Sequence, residues 1–302
     1  MAVMVDIDNI VNYRTCEKGS KWVNDPKHQV TLQRYRPVIF DYFDVCFTQK
    51  GVIENSIQTN SIYCCNDHKY IDQMIQHVLS DDISYNVLVL AGVDRHLSNF
   101  ISKINQIKHR FEKIYCETKD VDCDWVHTIP MGLIMMYVYR NGLNTLTRVM
   151  TNKIKKESLI GTAFGSIYPR LNKLSDRDRL IKYTKTNDVI THFQCPPSEY
   201  FERLSKFQYF ACPLGNGLQT PKLYECLLTE TIPVVTDHII YRDLQSQGVP
   251  MLIINDWRDV TSQLLDTHMS KNTIDWVKVK RSCNIQTYIQ KYVKNSHDPP
   301  LY

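Results

Sequence analysis

At 302 residues the chain is long enough for two domains of about 130–150 residues each. Its 43% hydrophobic and 23% charged content is that of an ordinary globular protein, which excludes a disordered or fibrous chain. A formal charge of +4 suits a site for anionic nucleotides but lacks the basic stripe of a nucleic-acid binder, and no apolar run approaches the ~20 residues of a membrane span.

The opening, Met1 to Asp8, is acidic where a signal peptide is basic. Read from Met1, the chain is expected to be a naturally soluble, cytosolic form and not a trimmed one. The ten cysteines include no Cys-x-x-Cys pair, and Cys64 and Cys65 are adjacent, so they are read as reduced, buried small hydrophobes. The first ~30 residues are polar and irregular, an arm on the domain surface.

Pro37 to Phe40, followed by Asp41 and Asp44, reads as a strand ending in acids. Ser61 to Cys65 is a second strand, and Tyr70 to Leu79 a helix with Ile71, Met74, Ile75 and Val78 on one side. Tyr85 to Ala91 is a continuous apolar run, the pattern of a parallel strand covered on both faces. It ends at Gly92-Val-Asp94-Arg95-His96, with a helix expected from Leu97 to about Ile107 and a short strand at Lys113 to Cys116.

The second half repeats the logic. Strands are expected at Leu159–Phe164, Val189–Phe193, Phe207–Ala211, Ile232–Thr236 and Met251–Ile254, with helices at Leu171–Tyr183, Ser198–Lys206, Pro221–Thr229 and Arg258–Leu265. Ile274 to Tyr292 should form one or two helices, and Asp298 to Tyr302 an irregular tail. Alternating strands and helices predict an α/β protein of two Rossmann-like domains facing a central cleft. The expected division is an acceptor domain over 1–130, a nucleotide-sugar domain over 131–270, and a helical segment over 271–302 that crosses back to the first domain. Neither a dinucleotide Gly-x-Gly-x-x-Gly fingerprint nor a phosphate loop is present, which removes the main support for a dehydrogenase or kinase.

The richest stretch runs from Phe210 to Asp237 and reads as strand, Gly-rich turn, helix, strand. Gly215 and Gly217 flank Asn216 and supply left-handed or closely approached backbone. Thr220 can cap the next helix, with Pro221 at its first position. Such a helix start, with its positive dipole end, faces an anion well. Lys222 at that position is electrostatically unfavourable unless an anion offsets it, and Lys222 and Glu225 lie three apart on one face. Asn216 and Thr220 either touch phosphate or shape the turn. The group Lys153, Lys155 and Lys156 reads as a solvated face.

This stretch resembles the signature of exostosin-like glycosyltransferases: Pro213-x-Gly215-Asn216-Gly217, a Thr and a basic residue opening a helix, Glu225 within it, and Ile232-Pro-Val-Val235 after it. The resemblance extends through Ile129-Pro-Met-Gly132, Leu159 to Gly165, Arg170, and Pro197 to Ser205, covering roughly residues 127–260. Lys222 stands where the family usually has Arg, and Pro221 precedes it; lysine keeps the charge but not the bidentate fork.

The resemblance implies the GT-B type of twin-domain architecture and an inverting, metal-independent transfer from a UDP-sugar to an acceptor hydroxyl. It implies that Arg170, Gly215, Asn216, Gly217, Thr220 and Lys222 serve the diphosphate and Glu225 the ribose. The compact forms in large DNA viruses of algae are similar, which implies a cytoplasmic enzyme of a host cell acting on an oligosaccharide or capsid glycoprotein, with UDP-xylose the favoured donor. No cofactor or metal is expected beyond the UDP-sugar co-substrate. Asp120-Val-Asp122-Cys-Asp124, although it holds two Asp-x-Asp pairs, reads as a solvated acidic loop.

For the base, Asp94 is chosen because it ends the best strand of the first half, where α/β folds expose their chemistry, and because Arg95 would keep it ionised. Its alternative role is a helix N-cap; Asp41, Asp44 and His96 are the other candidates. The alternative to an enzyme is an inactive glycan- or nucleotide-sugar-binding protein of the same fold.

Overall fold

The computed structural model describes residues 38–49, 51–134, 138, 142–152, 154–163, 175–215 and 217–294. The N-terminal arm, Lys153, Gly165, Ser166, Arg170, Asn216 and the tail at Asp298–Tyr302 lie outside the described residues.

The chain is an α/β protein built on two sheets. The first contains β1 (Val45–Thr48), β2 (Gly51–Glu54), β3 (Ser61–Cys65), β4 (Tyr85–Ala91), β5 (Phe111–Cys116) and β6 (Val126–Thr128), in the order β2-β1-β3-β4-β5-β6. Only the β1–β2 hairpin is antiparallel. Helices α1 (His68–Ser80) and α2 (Ile101–Ile107) join β3 to β4 and β4 to β5.

Each new parallel strand is added on the same side of the last, so right-handed crossovers put both helices on one face. The strands alternate accordingly. Ile62, Cys64, Leu88, Leu90 and Ile114 pack against Ile71, Met74 and Val78 of α1 and Ile104 and Ile107 of α2. Tyr63, Val87, Val89 and Tyr115 face the other way. That second face has no crossover helix of its own. It is covered by Ile39, Phe40 and Phe43 from before β1 and by Tyr288, Ile289, Tyr292 and Val293 from the far end of the chain. Burying each such side chain contributes about 1.5–3 kcal/mol, enough to hold the C-terminal segment on the first sheet.

Two readings of this half need correction. The expected strand at Pro37–Phe40 is not found: Pro37 lies outside the described residues, and Val38–Tyr42 forms a 3-10 turn, fastened by Asn55 Nδ2, which donates to the carbonyls of Phe40 (2.9 Å) and Phe43 (2.7 Å). A four-residue apolar run fits a strand or a lid equally, and here it is a lid. The hairpin that follows turns at Gly51, whose φ of 119° is open to glycine. The helix expected from Leu97 is a 3-10 turn over Leu97–Asn99 followed by α2.

The second sheet contains β7 (Ser158–Thr162), β8 (Thr191–His192), β9 (Phe207–Ala211), β10 (Ile232–Thr236) and β11 (Leu252–Ile254), all parallel, in the order β11-β10-β9-β7-β8. Around it lie α3 (Leu143–Thr151), α4 (Asp176–Thr184), α5 (Tyr200–Ser205), α6 (Pro221–Leu228), α7 (Ile239–Ser246) and α8 (Ser262–Lys271); α9 (Trp276–Ser282) and α10 (Ile285–Ile289) lead into a π turn at Gln290–Lys294. Because β7 has β8 on one side and β9 on the other, the chain reverses its direction of growth there. Leu180 of α4 and Leu265 of α8 pack on one face, whereas buried residues of α3, α5, α6 and α7 pack on the other. The carboxyl ends of β7 and β9 flank that reversal, the position at which open α/β sheets as a class take ligands.

Candidate active site

The loop from Cys212 to Thr220 leaves β9 at that reversal point. Asp176, the first residue of α4 and only 7% exposed, fixes its course. The carboxylate accepts from the Leu214 amide (2.8 Å), the Thr236 hydroxyl (3.2 Å), the Trp257 indole (2.8 Å) and Arg179 (3.0 Å). A buried carboxylate needs such a shell of donors.

Neither Gly215 nor Gly217 has a positive φ, so close approach explains both glycines. A Cβ on Gly215 would stand 2.8 Å from the Arg177 guanidinium, and the place of a Cβ on Gly217 is taken by Asp94 Oδ1, with Asp94 Cγ 3.0 Å from it. Arg177 and Asp94 thus reach the backbone of the loop only because side chains are missing there.

Thr220 occupies the N-cap of α6 with extended backbone, and Pro221 is its first residue. The Thr220 hydroxyl makes no capping bond, contrary to the sequence expectation, because the side chain is buried beside a helix already fixed from elsewhere. The fixing residue is Gln219. Its Oε1 accepts from the Met131 amide (2.9 Å) and the Tyr224 hydroxyl (2.7 Å), and its Nε2 donates to the carbonyls of Glu117 (2.7 Å) and Ile129 (2.8 Å).

On α6, Glu225 is only 2% exposed and so is not a solvated helix glutamate. The Tyr200 hydroxyl donates to its Oε2 at 2.8 Å, and no described residue bonds Oε1. Lys222 donates to the same hydroxyl at 3.3 Å and lies 4.8 Å above the Tyr200 ring. Burial pushes the Glu225 carboxyl above its ordinary value, with Lys222 and the Tyr200 bond pulling back. Burial likewise pushes the Tyr200 hydroxyl well up. A buried carboxylate so balanced, beside a cation at a helix start, is the kind of group found at functional sites.

In the first half, Gly92 turns the chain out of β4 with φ 108°. Glu117, fully buried, accepts from the Gly92 amide at 2.8 Å. Asn66 accepts from the Val93 amide (2.8 Å) and donates to the carbonyls of Val93 (2.9 Å) and Arg95 (3.0 Å). Asp94 stands exposed at the tip of this loop. Its reading as an N-cap fails: the 3-10 turn is capped at His96 and α2 starts only at Ile101. Arg95 lies against Asp67, 3.4 Å away.

Asp41 and Asp44 precede β1, at the opposite end of the sheet from Asp94. Asp44 accepts from Thr59 Oγ1 (2.6 Å) and the Ser61 amide (2.9 Å), bracketing the start of β3. His96 is 3.4 Å from Asp120, which also accepts from the Ser98 amide (2.8 Å) and hydroxyl (2.6 Å). Asp122 and Asp124 are exposed, and among the described residues no three His, Cys, Asp or Glu side chains converge as a metal site.

The structure brings Asp94 to Gly217 and sets Gly215, Thr220, Lys222 and Glu225 along one loop and helix start; Arg170 and Asn216 lie outside the described residues. The sequence reading missed Asp176, Arg177, Tyr200, Gln219, Asn66 and Glu117. Polar residues inside apolar runs, such as Asn66 after Ile62 to Cys65, were the available signal. It also missed further bonds between the halves: Asp243 of α7 accepts from Lys119 and Thr128 (both 2.8 Å), and Gln247 donates to the Thr128 carbonyl (2.9 Å). Lys156 is no solvated residue: it donates to the carbonyls of Ser205 (2.9 Å) and Thr229 (3.1 Å).

No family model matches the chain, and no curated protein matches it.

Proposed function

We propose that the chain is an inverting glycosyltransferase of the GT-B type, taking a sugar from a UDP-sugar at the second sheet to a hydroxyl of an acceptor glycan at the first. The observation that carries this reading is the meeting of Asp94, from the carboxyl end of β4, with Gly217, from the carboxyl end of β9. Two strand ends, one from each sheet, converge there, which is the arrangement a bisubstrate transfer needs.

In this reading the acceptor oxygen attacks the anomeric carbon while its proton passes to Asp94. The bond from that carbon to the diphosphate breaks, and UDP leaves with the electron pair. The start of α6, Lys222 and Arg170 offset the charge on the leaving diphosphate. Oε1 of Glu225, which no described residue bonds, takes a ribose hydroxyl. UDP-xylose as donor, an oligosaccharide or viral capsid glycoprotein as acceptor, a transfer that dispenses with metal, and work in a host cytoplasm remain parts of this proposal carried by the exostosin-like resemblance. Among the described residues no helix is long and apolar enough to cross a membrane.

A panel of UDP- and GDP-sugars, with and without EDTA, tests the reading on wild type and Glu225→Ala. Metal-independent binding of one UDP-sugar, weakened about tenfold or more by removal of the ribose contact, is expected. No nucleotide binding by wild type would remove the transferase reading and leave a glycan-binding protein of the same fold.

A further inference from the structure

Asp94 does more than approach the donor loop: its carboxylate oxygen occupies the space of the missing Gly217 side chain, leaving no room for a sugar ring between them. A base for glycosyl transfer must face the sugar from the side opposite the leaving group. Asp94 cannot do so from its present place. We infer that Asp94 is an internal occupant of the donor loop, displaced when a nucleotide diphosphate binds, so that the carboxylate becomes a proton acceptor only once the donor is in place. The inference rests on the donor reading above.

Three features make this exchange physical. Gly217 lies three residues before the N-cap of α6, and Lys222 stands in the first turn, so the loop favours negative charge whether it comes from a carboxylate or a phosphate. The diphosphate and the carboxylate repel, and they cannot share the same backbone. Bonds beside this contact, from Gln219 to Glu117, Ile129 and Met131, and others from Asp243 to Lys119 and Thr128 tie the two halves, so the exchange needs no separation of the halves. Glu117 and Asn66 hold the backbone of Gly92, Val93 and Arg95 on either side of Asp94, so the exchange moves the exposed Asp94 side chain and leaves those bonds closed.

The consequence is an ordered reaction in which the donor enters first. A latch that is closed in nine molecules of ten weakens the apparent donor affinity about tenfold, and removing its charge restores that factor. Because the loss lies in the rarity of the open state, the gain belongs to association.

UDP binding to wild type, Asp94→Asn and Asp94→Ala, followed by calorimetry and stopped-flow, tests this. Thermal melting of both variants checks that the fold is kept, and Asp94→Asn, which keeps the shape of the side chain, is the stricter test. Both are expected to bind UDP about tenfold tighter through faster association, with dissociation unchanged, while sugar transfer is lost. Equal affinities in all three proteins would overturn the latch and leave the donor site standing, as would a gain carried only by slower dissociation, which marks simple repulsion in the bound state. Absence of UDP binding in all three removes the donor reading and the latch together.

Discussion

The loop after β9 and the loop after β4 meet at one point, yet they are built differently. The Cys212–Thr220 loop is gripped by buried polar groups: Asp176 holds Leu214, Arg177 lies on Gly215, and Gln219 makes four bonds to backbone and Tyr224. The loop after β4 is held along its backbone, where Glu117 and Asn66 bond Gly92, Val93 and Arg95, while the Asp94 side chain between them is exposed. Charge that develops on a leaving group is stabilised best by dipoles that do not have to reorganise. A proton acceptor that must first make way for a substrate gains from being movable. In the proposed transfer, the contrast assigns precision to the loop after β9 and adjustment to the Asp94 side chain.

The strongest way to break this contrast is to loosen the gripped loop. Asp176→Ala leaves the Leu214 amide, the Trp257 indole and Arg179 without their shared acceptor. Unfolding in urea should show a loss of about 3–5 kcal/mol, the cost of breaking a buried charged network. UDP affinity should fall with it. An unchanged unfolding midpoint would mean that the loop holds its shape without Asp176.

Gln219→Ala asks whether the two loops are held in register. It strands the carbonyls of Glu117 and Ile129, while the Met131 amide keeps the Tyr224 hydroxyl, at a cost of about 1–3 kcal/mol. Its sharper effect should fall on turnover, reduced about 10²-fold by misplacement of Asp94 relative to the donor, with UDP affinity nearly kept. Equal losses in turnover and UDP affinity would instead place Gln219 in shaping the donor loop alone.

Much of this architecture was legible beforehand because it is local. β3, β4, β9 and β10 were read at their true bounds, since a parallel strand buried on both faces is a continuous apolar run wherever it sits. Pro221 opening α6 and the two glycines before it were legible for the same reason. The hairpin of β1 and β2 was not, because the longest apolar run nearby, Val38 to Phe40, serves as a lid on the sheet. The residues that fix the site were the least legible. Asp176 lies 38 positions from its Leu214 partner, and Gln219 reaches Glu117 across 102. Such pairs are set by how the sheets stack, which no local pattern records. Only the expectation that something small must sit at Gly217 was available, and the identity of its visitor came from the fold.

Lys156 sharpens the comparison from the far end of α6. It donates to the carbonyl of Thr229, just past that helix, and to that of Ser205, the last residue of α5, anchoring the end of the helix that follows the Cys212–Thr220 loop. Burial draws its ammonium down to about 8 from an ordinary 10.5, with Cys226 and Glu230 opposing that shift and Lys280 adding to it. The folded protein then releases this proton before the unfolded chain does. Below pH 8 the lysine is charged in both states and its burial weighs on the fold in full; between about 8 and 10.5 the unfolded chain binds more protons, and stability rises with pH. Lys156→Met lacks this titration. Its effect at pH 7 should be the smallest of the three, about 1 kcal/mol or less, because lost bonds and relieved burial oppose each other. The difference in urea stability between wild type and Lys156→Met should then shift toward wild type as the pH climbs through that window. UDP affinity should stay at the wild-type value, because rigidity at the donor loop comes from Asp176 and Gln219 and not from the end of α6. A drop in affinity would extend the gripped region along the whole helix.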